Sequence, residues 1–248
     1  MKSKKIVPKY NKFSFPKIGL IALASDYIIE RDFQNILKNK KIDLFVNRIE
    51  SFNPLTRNNL IKMSKKITKV TNNILPGEKV DCVAYACTSG TIAAGYAFIK
   101  NKVIKAKPNS KITTPSTSSI NALRKFKIKK IAIFTPYSKK LNDEVLDYFK
   151  INNFIITSNS YFNIKSDINI GKVDSRHLYR VLSNMKLNGA EALFISCTAL
   201  PALSIIEKLE KKLGIMVFSS NQVLIWDTLN KIGIKNNIKG FGKLMRSN

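Results

Sequence analysis

The chain has 248 residues, 44% of them hydrophobic, with 10 Gly and 8 Pro, so it can bury a core as one large or two small domains and is not disordered or low-complexity. One His and three Cys, with no Cys-x-x-Cys pair, argue against most Ser-His-Asp triads, His-ligated zinc sites and His-paired thiols and fit a reducing compartment where thiols stay free. The net charge of +27 is carried by Lys beside abundant Ile and Asn, a codon-composition effect without any nucleic-acid-binding motif; it steers small anions and implies no specific nucleic-acid partner.

Residues 1–16 read as a basic tail without the apolar run of a secretory signal. Short β-branched apolar runs follow, alternating with segments of helical period, the pattern of parallel α/β architecture. In chain order the strands are expected at 17–23, 42–49, 80–86, 130–135, 154–157, 190–196 and 215–219, and helices at 58–73, 139–152, 175–187 and 202–213. The turns Pro76-Gly77 and Asn188-Gly189 close helices before a strand. The uncharged stretch 83–99 is broken by Thr88-Ser89-Gly90-Thr91, so it reads as strand, turn and helix; no membrane association and a cytoplasmic location are expected.

One sentence of sequence occurs twice. Val80 to Ser89 and Ala190 to Ala199 are both an apolar strand ending in small residue, Cys, Thr, small residue, then helix, at an offset of 110, and the opening strands at Lys17 and Lys130 are offset by 113. Two similar α/β lobes follow: 17–114 with 221–248 as the first, 115–220 as the second, with the segment after Asn221 packing back on the first lobe.

Cys87 and Cys197 fall at the carboxyl ends of parallel strands, where open α/β sheets bind ligands. A helix starting there should favour the thiolate and offer N–H donors to an oxyanion, with Thr88, Ser89 and Thr198 adding hydroxyls. If the lobes face each other, the two thiols reach one carbon from opposite faces, the geometry for removing and returning a proton. Cys82, inside its strand, reads as packing. His177 is a poor catalyst, Asp26 and Asn221 read as helix caps, and Trp226 as core.

These residues resemble a family. Ala86-Cys-Thr-Ser-Gly-Thr, Ser196-Cys-Thr-Ala-Leu and Phe218-Ser-Ser-Asn-Gln are similar to the aspartate/glutamate racemase superfamily, in the branch holding maleate cis-trans isomerase, arylmalonate decarboxylase and the ectoine-utilisation EutA proteins. Ile18-Gly-Leu-Ile-Ala-Leu-Ala-Ser-Asp-Tyr, Glu30-Arg-Asp-Phe, Ile74-Leu-Pro-Gly-Glu and Phe134-Thr-Pro-Tyr most resemble the EutA subgroup. The resemblance implies two Rossmann-like, flavodoxin-like lobes with parallel sheets, related by a pseudo-two-fold, with the active site in the cleft between them. It implies an isomerase, of the racemase or epimerase type, acting on a small anionic carboxylic acid without any cofactor or metal. Cys87 and Cys197 would be its catalytic pair; the decarboxylase keeps only the second. Thr88, Ser89 and Tyr137 match positions that bind a substrate carboxylate, and Asp167 matches a further site position. Asp26 stands where maleate isomerases carry Asn, which argues against a dianion and for the ectoine subgroup. Maleate cis-trans isomerisation and a non-catalytic small-acid-binding protein are the alternatives, and a homodimer or other homo-oligomer stays open.

Overall fold

A computed structural model describes residues 3–10 and 15–247; of the basic tail, residues 1–2 and 11–14 lie outside the described residues. Eight strands form two parallel four-stranded sheets of the same order. The first holds β1 (Lys17–Leu23), β2 (Asp43–Ile49), β3 (Cys82–Tyr85) and β4 (Lys111–Thr113) in the order β2-β1-β3-β4. The second holds β5 (Lys130–Thr135), β6 (Ile155–Tyr161), β7 (Ala192–Ile195) and β8 (Met216–Ser219) in the order β6-β5-β7-β8. This is an α/β fold of two similar lobes.

The strands inside each sheet are the continuous apolar ones. β3 and β7 are buried at every residue, and β1 and β5 at all but their first, whereas β2 and β6 at the edges are mostly half-buried. A parallel strand covered on both faces must be apolar throughout, which is why no period-two alternation marks them. The repeat in the sequence is a repeat in hydrogen bonding. Ala86 N–H donates to Ile21 C=O at 2.9 Å and Ser196 N–H to Phe134 C=O at 2.9 Å, so each lobe hands its chain from the third sheet position into a cysteine turn in the same way.

Helices cover both sheets: α1 (Ile29–Leu37), α2 (Arg57–Ser64), α3 (Ile67–Asn72), α4 (Thr88–Ala94), α5 (Tyr96–Ala106), α6 (Pro115–Lys125), α7 (Lys139–Ile151), α8 (Asp167–Gly171), α9 (Ser175–Ser183), α10 (Ile206–Leu213) and α11 (Ser220–Lys231). The helix expected over 58–73 is two helices, α2 and α3. The one expected from 202 begins with a 3-10 turn at Leu203–Ile205. β4, only three residues long, is too short to signal itself. Helix α11 packs on α6, β3 and β4, and the 3-10 turn Leu244–Arg246 packs on α11. No helix among the described residues is long and apolar enough to cross a membrane.

Phe194 in β7 is fully buried and packs at 5.0 Å, ring centre to ring centre and tilted by 55°, on Phe149 of α7. Phe194→Ala is expected to cost about 3–5 kcal/mol through lost burial and an unfilled cavity, read as a lower midpoint in urea at unchanged slope.

Candidate functional site

In each sheet the chain leaves its first strand to one side and returns to the other, so the topological switch point lies between the first and third strands of the lobe, at their carboxyl ends. The residues there are Asp26 after β1, Cys87 after β3, Tyr137 after β5 and Cys197 after β7. All four are buried, Cys87 at 4% and Cys197 at 5% exposure, so the site is closed to solvent in this conformation.

Cys87 is the N-cap of α4, and its Sγ accepts the Gly90 N–H at 3.2 Å. The Ser89 hydroxyl lies 4.0 Å from the same sulfur. A Cβ on Gly90 would come within 2.7 Å of Cys87 Sγ and 2.8 Å of the Tyr85 hydroxyl; the glycine is therefore required by close approach. Cys197 is not its mirror image. No helix follows it directly: the chain turns through Thr198 and Pro201 before the 3-10 turn at Leu203. Cys197 itself takes φ of +92°, a strained region for a non-glycine residue, at a cost of about 1–3 kcal/mol.

What fixes that turn is the start of α11. The Cys197 N–H donates to Ser220 Oγ at 3.0 Å, and Thr88 Oγ1 donates to the same oxygen at 2.8 Å. Asn221 Nδ2 donates to the Thr198 carbonyl at 2.9 Å and to Asp32 Oδ2 at 2.7 Å. Thr198 Oγ1 donates to the Ala86 carbonyl at 3.2 Å. The two cysteine turns are thus bonded to each other and to one shared helix end. Asn221 is no cap: Ser219 caps α11, accepting the Gln222 N–H at 3.2 Å.

The loop before α8 closes the other side. Asp167 Oδ2 accepts the Ser25 hydroxyl at 2.8 Å, Leu55 N–H donates to the Lys165 carbonyl at 2.9 Å, and the Tyr27 hydroxyl donates to the Ile168 carbonyl at 3.0 Å. Asp26 is not the N-cap of α1, which is Ile28, but it bonds the start of that helix from two residues ahead of the cap. Its Oδ1 accepts the Ile28 and Ile29 N–H groups at 2.8 and 3.1 Å, while Oδ2 is buried with no hydrogen-bond partner among the described residues.

The electrostatics correct the expectation that a helix start keeps a thiolate. Burial pushes the Cys87 thiol up to about 12 and Asp167 adds to that; the Gly90 N–H, Ser89 and Tyr85 pull it back only in part. Burial, then Asp167, hold Cys197 well above its ordinary range, with Tyr137 opposing. Desolvation of a single charge exceeds what one N–H and a two-turn helix return, so burial disfavours the thiolate of both cysteines in this closed conformation. Burial also raises the carboxyls, Asp167 to about 6, Asp32 to about 7 and Asp26 as well. Tyr137 is raised well above its ordinary value by burial and then by both cysteines, Cys197 before Cys87, which places its hydroxyl within the field of the two thiols.

The structure therefore brings Asp26, Cys87, Thr88, Ser89, Tyr137, Asp167, Cys197 and Thr198 to one closed cleft. It keeps out Cys82, His177 and Trp226. Cys82 points to Thr113, at 4.0 Å; His177 is exposed on α9, its ring stacked at 6.1 Å on Phe162; Trp226 is core. Among the described residues no group of three or more His, Cys, Asp or Glu is placed to hold a metal ion. Sequence reasoning missed Tyr85, Asp32 and Ser220. Ser220 had a legible signal, since it stands directly after β8 as Ser196, the neighbour of Cys197, stands directly after β7; the other two did not.

Comparison with known proteins places the chain in a family. The family model described as arylmalonate decarboxylase matches residues 43–245. A maleate isomerase of Geobacillus stearothermophilus is 23% identical over 243 residues, covering 92% of this chain and 96% of that protein. Among solved structures, a maleate isomerase variant of Pseudomonas putida with maleate superposes with a TM-score of 0.87 at 19% identity, covering 94% of this chain and 98% of the other. A Nocardia farcinica maleate cis-trans isomerase mutant with a covalently bound succinylcysteine intermediate gives 0.87 at 17%, covering 94% and 99%. With that family model matched over most of its length, the chain belongs to the arylmalonate decarboxylase family.

Proposed function

We propose that this chain is a cofactor-independent isomerase of a small carboxylic acid, in which Cys87 and Cys197 act from the two sides of the closed cleft. The observation that carries it is the bridge Thr88–Ser220–Cys197, which ties the two cysteine turns together across the cleft, with Asp167 acting on both thiols. The substrate carboxylate would be held by Ser89, Tyr137 and the Thr198 turn, and by Thr88 once its hydroxyl leaves Ser220. Opening of the α8 loop would admit it.

In the racemase or epimerase form, one cysteine enters the reaction as thiolate, takes the proton from the carbon beside the carboxylate and becomes a thiol. The opposite thiol then gives its proton to the other face and is left as thiolate. Hydrogen-bond donors around the carboxylate stabilise the charge that develops between the two steps. Asp26 and Asp167 favour this form: when ionised they would repel a second carboxylate on the substrate and draw an ammonium, and an ammonium beside them would itself favour the ionised state that burial opposes. An amino acid of the kind met in ectoine or hydroxyectoine breakdown, the EutA-like role, suits that charge pattern.

The second form is maleate cis-trans isomerisation, favoured by the maleate isomerases among the relatives. Cys87 thiolate would add to one alkene carbon as the adjacent carbon takes a proton from Cys197. Rotation about the resulting single bond, then return of the proton and expulsion of the thiolate, gives the trans acid. Incubation in D2O separates the two. Deuterium entering an amino acid beside its carboxylate, lost in both Cys87→Ala and Cys197→Ala, is the result expected of proton transfer. Conversion of maleate with a trapped adduct on Cys87 is the result expected of addition. Tight binding of small acids with neither outcome would overturn the enzyme reading in favour of a binding protein.

A further inference from the structure

Tyr85 is the last residue of β3 and is fully buried. Its hydroxyl has no hydrogen-bond partner among the described residues. A buried polar group left without a partner costs free energy that an apolar ring of the same shape would not, so phenylalanine would serve the core better. The hydroxyl is placed beside one particular atom. A single point, where Gly90 would carry a Cβ, lies 2.8 Å from the Tyr85 oxygen and 2.7 Å from Cys87 Sγ, so with no side chain there the two atoms border one small space, and the hydroxyl acts on that sulfur, opposing the rise of its pKa. Gly90 N–H holds the same sulfur from the helix side.

We propose that Tyr85 is a positioning residue for Cys87, whose hydroxyl donates to the sulfur when it becomes a thiolate. The proposal rests on Cys87 being the reacting thiol. A neutral thiol is a weak acceptor, which explains why the donor stands idle in the resting site; a thiolate is a strong one, and a hydrogen bond to a charged group is about twice as strong as one between neutral groups. The hydroxyl does not itself give up its proton: burial, and then the Cys87 charge, hold its pKa well above the ordinary tyrosine value. No proton moves from Tyr85; only the O–H direction turns toward sulfur. Tyr85 and the Gly90 N–H then hold the thiolate from two sides, in a cleft where the short helix alone does not.

The test is Tyr85→Phe, with the alkylation rate of Cys87 by iodoacetamide followed at pH 8 on its own peptide by mass spectrometry. Alkylation about tenfold slower than in the parent, with kcat down by a similar factor and KM little changed, is the expected result, at an unchanged or higher melting temperature. An unchanged alkylation rate would overturn the proposal, and so would a variant that fails to fold, since the hydroxyl would then have a structural partner. The alkylation readout needs no substrate. Slower alkylation in a protein that turns over none of the acids above leaves Tyr85 assigned and removes the isomerase reading; unchanged alkylation in an active isomerase does the reverse.

Discussion

Cys87→Ala is expected to lower kcat/KM at least about a thousandfold, because neither proton transfer nor addition has a substitute for that sulfur. The fold should survive. Alanine leaves a small hole at the carboxyl end of β3, and the Gly90 N–H loses its capping acceptor, a loss of about 1 kcal/mol. Cys87→Ser separates the two effects, since its oxygen restores a cap acceptor without restoring a thiol: stability should return and activity should not. Cys82→Ala provides the contrast. Its sulfur lies in the strand against Thr113, so its loss should touch stability and leave turnover within about threefold. Steady-state kinetics beside thermal melts check all three, and activity persisting in Cys87→Ala would remove Cys87 from the chemistry.

Gly90→Ala is the second large effect, expected at about a hundredfold in kcat with only a small change in melting temperature. A methyl at this position would lie 2.7 Å from Cys87 Sγ and 2.8 Å from the Tyr85 hydroxyl, closer than real Cβ contacts allow, and the tyrosine ring sits in a packed strand. The cysteine must then turn away, losing the Gly90 N–H and its aim into the cleft; misplacement on this scale commonly costs two orders of magnitude in rate. Stability changes little because alanine is the better helix former by about 1 kcal/mol, which offsets much of the strain. A drop in kcat matched by an equal loss of folded protein would show a packing role instead.

The neighbours on which both effects depend differ in how visible they are along the chain. Cys87 and Cys197 are legible because parallel strands read as uninterrupted apolar runs and a cysteine closing two such runs at an offset of 110 residues is hard to produce by chance. Thr88, Ser89 and Thr198 come with them as neighbours in sequence. Tyr85 does not stand out, since an aromatic in a buried strand is ordinary, and what singles it out is an unpartnered oxygen beside sulfur. Asp32 and Asn221 are 189 positions apart and meet only because α11 returns to pack near α1.

The sequence by itself determined the class of fold, the duplicated strand-cysteine-threonine unit and the pair of thiols, since each follows from local periodicity and from where strands end. Only the tertiary structure decided that burial works against the thiolate of that pair. A helix N-cap favours a thiolate locally, but the energy of a charge depends on how much water is left around it, and the water is removed by residues brought from distant parts of the chain: the α8 loop carrying Asp167, Tyr137 after β5, and the start of α11. For the same reason the two turns, nearly identical in letters, differ in form, one opening a helix at Cys87 and the other held at φ of +92° by a serine 23 residues further on.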